Sequence, residues 1–228
     1  MMKYLIVFSL ILSAFGIPSN AARPLQQIDR IYDFGEVGIG FHIFHRFQLA
    51  NPNSETVKID SVVVRCDCSY VQVPDSILEP GDTVDIMLDF STDDYYGKTS
   101  KAVRVYTDFA PSPNLEYFYL STVGQWFLGL KPEPISLFFL PGKTSQKVTI
   151  PNDVLEIVRI SDVEHYDDRV TATIVSGEAV KGNSLELEVK PGENLGKGTY
   201  HTNFRVTLEM SGEFEPLHLT VPVKIVRY

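Results

Sequence analysis

The stretch HIFHRFQLANPNSETVKIDSVVV, residues 42–64, carries the pattern that decides the fold. It contains two runs rich in β-branched and aromatic residues, 42–50 and 56–64, separated by the turn-forming pair Asn51-Pro52. Runs of this composition, bounded by turn residues, are typical of β-strands joined by short connections. The stretch therefore predicts two successive strands.

The same pattern continues along the chain. Further runs of this kind occupy 83–91, 101–107 and 115–123, and Pro80-Gly81 and Tyr96-Gly97 supply turns between runs. Outside the N-terminus no segment shows a sustained apolar period of 3.6 residues, which a helix packed on a core would require. Short strands at this density predict an all-β fold, a sandwich in which alternate residues of each strand face a core between two sheets.

An internal repeat indicates the number of modules. A shift of the sequence by 101 residues, without a gap, superimposes identical residues at many positions. These pairs are Asn51 on Asn152, Glu55 on Glu156, Val57 on Val158, Ile59 on Ile160, Val62 on Val163, Gly81 on Gly182, Gly97 on Gly198, Arg104 on Arg205 and Val105 on Val206. We therefore predict two tandem immunoglobulin-like sandwiches, each of about 100 residues. Their predicted bounds are 22–125 and 126–228.

The N-terminus has the features of an export signal. Met1-Met2-Lys3 is a short positive start, Leu5 to Leu12 is apolar, and Ser19-Asn20-Ala21 offers the small residues that a signal peptidase reads. We predict a signal peptide over residues 1–21, cleavage after Ala21, and a periplasmic or extracellular protein with no stable membrane anchor after cleavage. The alternative is an uncleaved anchor, but residues 4–17 fall short of the roughly 20 apolar residues that span a bilayer.

The charge of the chain argues against two classes of partner. The 228 residues carry a formal net charge of -9 at pH 7, and the sequence pI is about 5.0. Lysine and arginine are scattered, whereas a surface for duplex DNA or an anionic membrane needs them clustered. We therefore expect a folded globular protein that binds no nucleic acid.

The chain has two cysteines, Cys66 and Cys68, in the segment VVVRCDCSYVQV at 62–73. On an extended strand these residues would face the same way with Cα atoms about 6.6 Å apart, near the upper limit for a disulfide. An intrachain bridge therefore requires a local bulge. The polar run Asp67-Cys68-Ser69 follows three valines and indicates that the strand ends here, which allows a bulge.

The residues themselves leave three interpretations of this pair open. The thiols fill space at the sheet edge or close a local bridge in an oxidising compartment. Alternatively they hold a soft metal such as Cu(I), although a third ligand is not evident. The third interpretation is an exposed redox pair or an intermolecular disulfide. A C-x-x-C motif opening a helix, which is typical of thiol oxidoreductases, is absent.

A family resemblance is carried by residues spread over about 31–108. They are Asp33-Phe34-Gly35, Val37, Gly40, Phe47, Asn51, Ile59, Val62, Cys66, Cys68, Pro80-Gly81, Gly97 and Thr107-Asp108. With these residues the first module resembles the bacterial exported family known as domain of unknown function 1573. That family is itself similar to the immunoglobulin-like modules of the ciliary and centrosomal ASH group and of the major sperm protein. The resemblance implies an exported bacterial cell-envelope protein without an established activity.

The sequence departs from the family at the cysteines. The family usually has glycine between them and threonine after the second, whereas this chain has Asp67 and Ser69. In the second module Asp167 and Arg169 stand where the cysteines would fall. Any thiol function therefore belongs to the first module alone.

Aromatic residues are the candidates for partner contact. Tyr95 and Tyr96 stand beside Gly97, and Tyr117-Phe118-Tyr119 form a second group, in which at least one ring must face the core. Trp126 lies in the apolar segment VGQWFLGLKPEP, residues 123–134, which does not have the composition of a flexible linker. We hypothesise that Trp126 buries between the modules and fixes their angle; the alternative is that it completes the last strand of the first module.

No catalytic residues and no cofactor are predicted. Pro141-Gly142-Lys143-Thr144 lacks the first glycine of a phosphate-binding loop, and Asp89, Asp93 and Asp94 lack the spacing of a calcium loop. The five histidines have no metal-binding spacing. We therefore predict a non-enzymatic interaction or scaffold protein with an unidentified protein partner in the cell envelope. The alternatives are thiol-based copper or redox handling through the two cysteines, and a periplasmic chaperone that offers a sheet edge for strand addition.

Overall fold

The computed structural model describes residues 22–227. The predicted signal peptide and the cleavage after Ala21 lie outside these residues. Within them no helix is both long and apolar enough to cross a bilayer. The elements are β1 (Gln26–Ile28), β2 (Ile31–Val37), β3 (His42–Ala50), β4 (Val57–Val64), β5 (Ser69–Gln72), β6 (Ile77–Leu78), β7 (Thr83–Ser91), β8 (Gly97–Thr107), β9 (Asn114–Val123), a 3₁₀ helix (Phe127–Gly129), β10 (Leu137–Phe139), β11 (Gln146–Asn152), β12 (Ile157–His165), β13 (Val170–Ser176), β14 (Glu178–Val180), β15 (Asn183–Pro191), β16 (Gly198–Met210) and β17 (Leu217–Arg227).

The predicted all-β class is confirmed, and two of the predicted runs coincide with whole strands. β3 and β7 have the bounds of the runs at 42–50 and 83–91, and in both strands buried and partly exposed residues alternate. β8 begins at Gly97, four residues before the run at 101–107. The polar residues 98–100 belong to this strand because their backbone pairs with β9. Hydrophobic pattern alone misses such an extension.

The strands form sandwich-like sheets around two hydrophobic cores. The first core lies within residues 25–123 and receives side chains from the sheet β1-β3-β7-β5 and from β2, β4, β8 and β9. The second lies within residues 130–225 and receives side chains from the sheet β11-β15-β13 and from β12, β16 and β17. The alternate residues of these strands fill the cores, as the sandwich pattern requires.

One ten-stranded sheet contributes to both cores. Its order is β14-β12-β16-β17-β2-β9-β8-β4-β6, and β10 pairs with β17. The two halves meet where β17 and β2 run parallel, with Leu219 opposite Glu36. The backbone of the second half therefore continues the sheet of the first.

A buried asparagine occupies the same structural position in each half. Asn51 Nδ2 donates to the carbonyl oxygen of Leu78 at 3.0 Å, and Asn152 Nδ2 donates to that of Ala179 at 2.9 Å. The two asparagines are 1% and 0% exposed. A buried carboxamide needs such partners, because an unsatisfied polar group in a core is costly.

Candidate functional site

The two cysteines lie in the turn that follows β4, not within a strand. β4 ends at Val64, residues 65–68 form the turn, and β5 begins at Ser69. The strand thus ends here, as the polar run Asp67-Cys68-Ser69 indicated. The chain bends because it passes here from the ten-stranded sheet to the four-stranded sheet. This bend brings the two Cα atoms to 5.1 Å, within the range that a disulfide bridges.

Cys66 and Cys68 form a disulfide with each other. Both residues are half-buried, and Cys68 also packs against the first core. Neither sulfur is a free thiolate in this state, so the pair does not present ligands for Cu(I). Within residues 22–227 no group of three or more histidine, cysteine or acidic side chains is placed to hold a metal ion.

A hydroxyl group lies beside both sulfur atoms. Ser69 Oγ is 3.5 Å from Cys66 Sγ and 3.6 Å from Cys68 Sγ. The same oxygen shares a hydrogen bond of 2.6 Å with the hydroxyl of Tyr119, whose side chain is buried. Burial raises the pKa of Tyr119, and the hydrogen bond with Ser69 partly opposes this effect. The phenol therefore stays protonated and has a proton to donate toward Ser69.

Aromatic rings pack beneath this group. The Phe90 ring lies 5.3 Å from that of Tyr119 and 5.6 Å from that of Tyr95, measured between centroids. Lys101 Nζ lies 4.7 Å from the centroid of the Tyr95 ring, and its positive charge is attracted to the face of that ring. Tyr95 is thus partly buried against the first core.

An ion pair occupies the corresponding turn of the second half. Asp167 and Arg169, which align with the cysteines, form a salt bridge, and Arg169 Nε donates to Asp167 Oδ2 at 2.6 Å. Thr202 also donates to this carboxylate at 3.0 Å. The first half therefore closes this turn covalently, and the second half closes it by charge.

Replacement of both Cys66 and Cys68 by serine should lower the free energy of unfolding by about 1.5 kcal/mol, because a cross-link over three residues removes little entropy from the unfolded chain. A cross-link that closed 15 residues would contribute about twice as much. Urea denaturation of the oxidised protein and the double variant measures the difference. Replacement of the exposed Ser61 by alanine serves as a control, and a loss above about 4 kcal/mol would contradict the entropic argument.

Tyr96 is the most exposed of the candidate contact residues. Its side chain is 73% exposed, and that of Ile39 is 48% exposed. Both side chains reach Gly124, since a Cβ built there would lie 2.8 Å from Ile39 Cδ1 and 3.2 Å from Tyr96 Cδ2. We call these three residues the Tyr96 surface.

Trp126 lies beyond β9, which ends at Val123, and packs against the second core. The next residue, Phe127, donates its backbone N–H to both carboxylate oxygens of Glu36 at 2.7 and 2.8 Å. Glu36 is only 6% exposed, and burial raises its pKa to about 7. The segment after β9 is thus tied to β2 on one side and to the second core on the other.

A polar cluster between the two halves has no counterpart in the sequence predictions. The guanidinium of Arg205 lies 4.2 Å from the centroid of the Tyr32 ring, and the ring of His45 stacks on Tyr32 at 3.5 Å. Arg205 also pairs with Glu164 and donates to the carbonyl oxygen of Asp33. Burial, assisted by the charge of Arg205, lowers the pKa of His45 to about 3, so this histidine is neutral at physiological pH.

Sequence reasoning missed these residues because their contacts are distant along the chain. Ser69 and Tyr119 are 50 positions apart, and Arg205 and Asp33 are 172 apart. For Ser69 the sequence did contain a signal, because this residue keeps a hydroxyl group at a position where the family usually has threonine. The other contacts have no local pattern that would reveal them.

Residues 25–120 match the model of the family described as "Protein of unknown function (DUF1573)". The resemblance of the first module to this family is therefore confirmed. A comparison with curated proteins found no match.

Among solved structures the chain is similar to a protein of unknown function from Porphyromonas gingivalis W83. The identity is 15% and the TM-score 0.37, over 90% of this chain and 100% of that one. It is also similar to an ASH/PapD-like domain of human CEP192, at 13% identity and a TM-score of 0.35, over 53% of this chain and 97% of that one. A third similar structure is the periplasmic chaperone SfaE, at 9% identity and a TM-score of 0.37, over 90% of this chain and 100% of that one.

Proposed function

We propose that this protein is a non-catalytic scaffold of the bacterial cell envelope. In this proposal two tandem immunoglobulin-like domains, 22–125 and 126–228, form one rigid body that binds a protein partner. The single observation that carries the proposal is the set of buried hydrogen bonds and backbone pairing between the two halves. A rigid body presents its surface residues at fixed separations, which lowers the entropic cost of binding.

Two hydrogen bonds between the halves are wholly or partly buried. Thr220 Oγ1 donates to the carbonyl oxygen of Phe34 at 2.6 Å, and the backbone N–H of Phe44 donates to Asn203 Oδ1 at 2.6 Å. Thr220 is 1% exposed and Asn203 is 2% exposed. Separating the halves would leave these groups without their partners, or would require water to enter. Such groups favour one arrangement of the two halves over a flexible linkage.

The division into two domains is supported by the two cores and by the equivalent asparagines. Asn51 and Asn152 make the same contacts 101 residues apart, as a duplicated module would. Each core is assembled from its own consecutive strands. The shared sheet then joins two folded units of similar design.

An exported location is supported by two features of different kinds. The N-terminal sequence has the charge, apolar block and small residues of a cleaved signal. The disulfide between Cys66 and Cys68 is of the kind that persists in oxidising compartments such as the bacterial periplasm.

The histidines support a structural role. His165 Nε2 accepts the backbone N–H of Ala172 at 2.8 Å, and His218 Nδ1 lies 3.0 Å from the hydroxyl of Thr207. His45 stacks on an aromatic ring in the first core. These imidazoles are engaged in contacts that hold the fold, which is why we place no general acid or base on them.

The Tyr96 surface is the proposed contact for the partner. Exposed tyrosine beside an exposed aliphatic residue provides the apolar and hydrogen-bonding area that interfaces use. Gly124, its third member, directly precedes the segment tied to Glu36 and to the second core. The partner would therefore meet a surface that is fixed relative to both domains.

A photo-crosslinking residue at Tyr96, in the full chain expressed in its own envelope, should capture one discrete protein. The matched control carries the same residue at Val175, which is 60% exposed on the second half. Capture at Tyr96 alone would support the scaffold. Equal capture at both positions would count against a specific surface, and capture of newly exported, unassembled subunits would favour the chaperone alternative.

A further inference from the structure

The Cys66–Cys68 disulfide is accessible from outside the fold. Both cysteines are half-buried in the turn, and the residues on either side of Cys66, Arg65 and Asp67, are exposed. Disulfides that only cross-link a core are shielded from attack, and exchange requires an attacking thiolate to reach a sulfur atom. Cys68 packs against the first core, so Cys66 is the sulfur that an external thiolate can approach.

The short span of the bridge limits how much it adds to the stability of the fold. The cysteines are two positions apart in sequence. Loop-closure entropy rises with the number of residues that a cross-link encloses, so this bridge receives little stabilisation from it. Opening the bridge therefore costs the fold little free energy, and accessible disulfides are the ones that take part in exchange.

The hydroxyl group of Ser69 is placed to stabilise the sulfur that leaves. It lies within hydrogen-bonding distance of Cys68 Sγ and is hydrogen-bonded to the buried Tyr119. When the Tyr119 hydroxyl donates the hydrogen bond to Ser69 Oγ, the Ser69 hydroxyl is free to donate to sulfur. A hydrogen bond to a developing thiolate is stronger than one to a neutral disulfide, because the acceptor carries charge.

We propose that this disulfide is a thiol–disulfide exchange site that oxidises protein dithiols. A thiolate of the substrate attacks Cys66 Sγ, the Cys66–Cys68 bond breaks, and Cys68 leaves as a thiolate that receives the Ser69 hydrogen bond. The thiolate then takes a proton from solvent. The second substrate thiol loses its proton to solvent and attacks the substrate sulfur of the mixed disulfide. The bond from that sulfur to Cys66 Sγ breaks, and Cys66 leaves as a thiolate that takes a proton from solvent. The substrate ends as a disulfide, and Cys66 and Cys68 end as two thiols after transfer of two electrons.

The inference goes beyond the scaffold role and does not depend on it. Binding through the Tyr96 surface requires no thiol chemistry, and exchange at Cys66 requires no partner at Tyr96. The two proposals therefore succeed or fail on separate measurements.

The test uses the full, oxidised chain and a reduced synthetic peptide that carries two cysteines. We expect one peptide disulfide to form for each pair of thiols that appears at Cys66 and Cys68. Thiol labelling and mass spectrometry measure both products. Ser69→Ala should slow the exchange about tenfold through the lost hydrogen bond to the leaving thiolate. Ser69→Thr, which keeps the hydroxyl, should restore most of the rate that Ser69→Ala loses. Ser61→Ala, on β4, should leave the rate unchanged. A disulfide that stays intact under excess peptide would overturn the proposal, as would equal rates in Ser69→Ala and wild type.

A second measurement identifies the attacked sulfur. The Cys68→Ala variant, first oxidised with a small disulfide, should carry the mixed disulfide on Cys66 and pass it to the peptide. The Cys66→Ala variant should react at least about tenfold more slowly, because Cys68 packs against the core. Circular dichroism shows that both variants fold, and equal reactivity of the two would overturn the assignment of Cys66.

Discussion

Replacement of Gly35 by alanine is expected to lower the free energy of unfolding by about 3 to 5 kcal/mol. Gly35 lies in β2 where this strand meets β17, and its φ is +67°. A Cβ at this position would lie 1.9 Å from the backbone carbonyl oxygen of His218. Because that atom belongs to the backbone of the neighbouring strand, the clash is relieved only if the two halves of the molecule move apart.

The matched control for this prediction is Gly81→Ala. Gly81 has a φ of +87°, but no atom lies within 4 Å of a Cβ built there. This variant should lose about 1 kcal/mol, the cost of a left-handed backbone for alanine. Urea denaturation gives both values, and small-angle scattering of Gly35→Ala should show an altered arrangement of the halves. Equal losses in the two variants would mean that the close approach of β2 and β17 is not a source of stability.

Between pH 4.5 and 8 the free energy of unfolding of the wild type is expected to fall by about 3 kcal/mol relative to that of the Glu36→Gln variant. Burial raises the pKa of Glu36 from 4.5 to about 7 in the folded protein. An acid whose pKa is raised on folding stabilises the fold while it is protonated. Its contribution is complete below about pH 4.5 and is lost as the pH rises through about 7. The wild type should therefore lose stability relative to Glu36→Gln between pH 4.5 and 8.

The comparison with glutamine isolates this carboxyl group from other titrating residues. The pKa of His45 is lowered to about 3, so this residue makes the free energy of unfolding depend on pH in the opposite direction. Its stabilising contribution is present above about pH 6.5 and is lost as the pH falls. That slope is the same in both proteins and cancels in the difference. Glutamine also keeps an oxygen that accepts the N–H of Phe127. Unfolding curves from pH 4.5 to 8 provide the test, with the exposed Glu55→Gln as the charge control, and parallel profiles for wild type and Glu36→Gln would refute the assignment.

The disulfide shows how far sequence reasoning reached at the candidate site. The end of the strand was predicted from the polar run at 67–69, because polar residues end an apolar strand by a local rule. The choice among a bridge, a metal site and a reactive pair was not predictable. It depends on the distance between two Cα atoms and on a hydroxyl group from β5 that is held by a phenol from β9.

The aromatic residues show the same division. The sequence indicated that the group at 117–119 must place at least one ring in the core, because successive strand residues alternate between faces. In the structure Tyr117 and Tyr119 are buried, and Phe118 lies on the other side. Tyr95 and Tyr96 are adjacent and were treated alike, yet one packs on Phe90 and the other is exposed. Their different surroundings come from strands that are remote in sequence.

The sequence by itself determined the strands, their turns and the all-β class. These features depend on an apolar period of two residues and on turn-forming residues, both of which act over a few positions. The tertiary structure alone decided that β17 pairs with β2, that Glu36 and His45 are buried, and that Ser69 meets Tyr119. These features join segments separated by 50 to nearly 200 residues, as in the contact of Thr220 with Phe34, 186 positions apart. Such contacts depend on how whole sheets pack, because burial and hydrogen-bond partners are properties of the assembled core rather than of neighbouring residues.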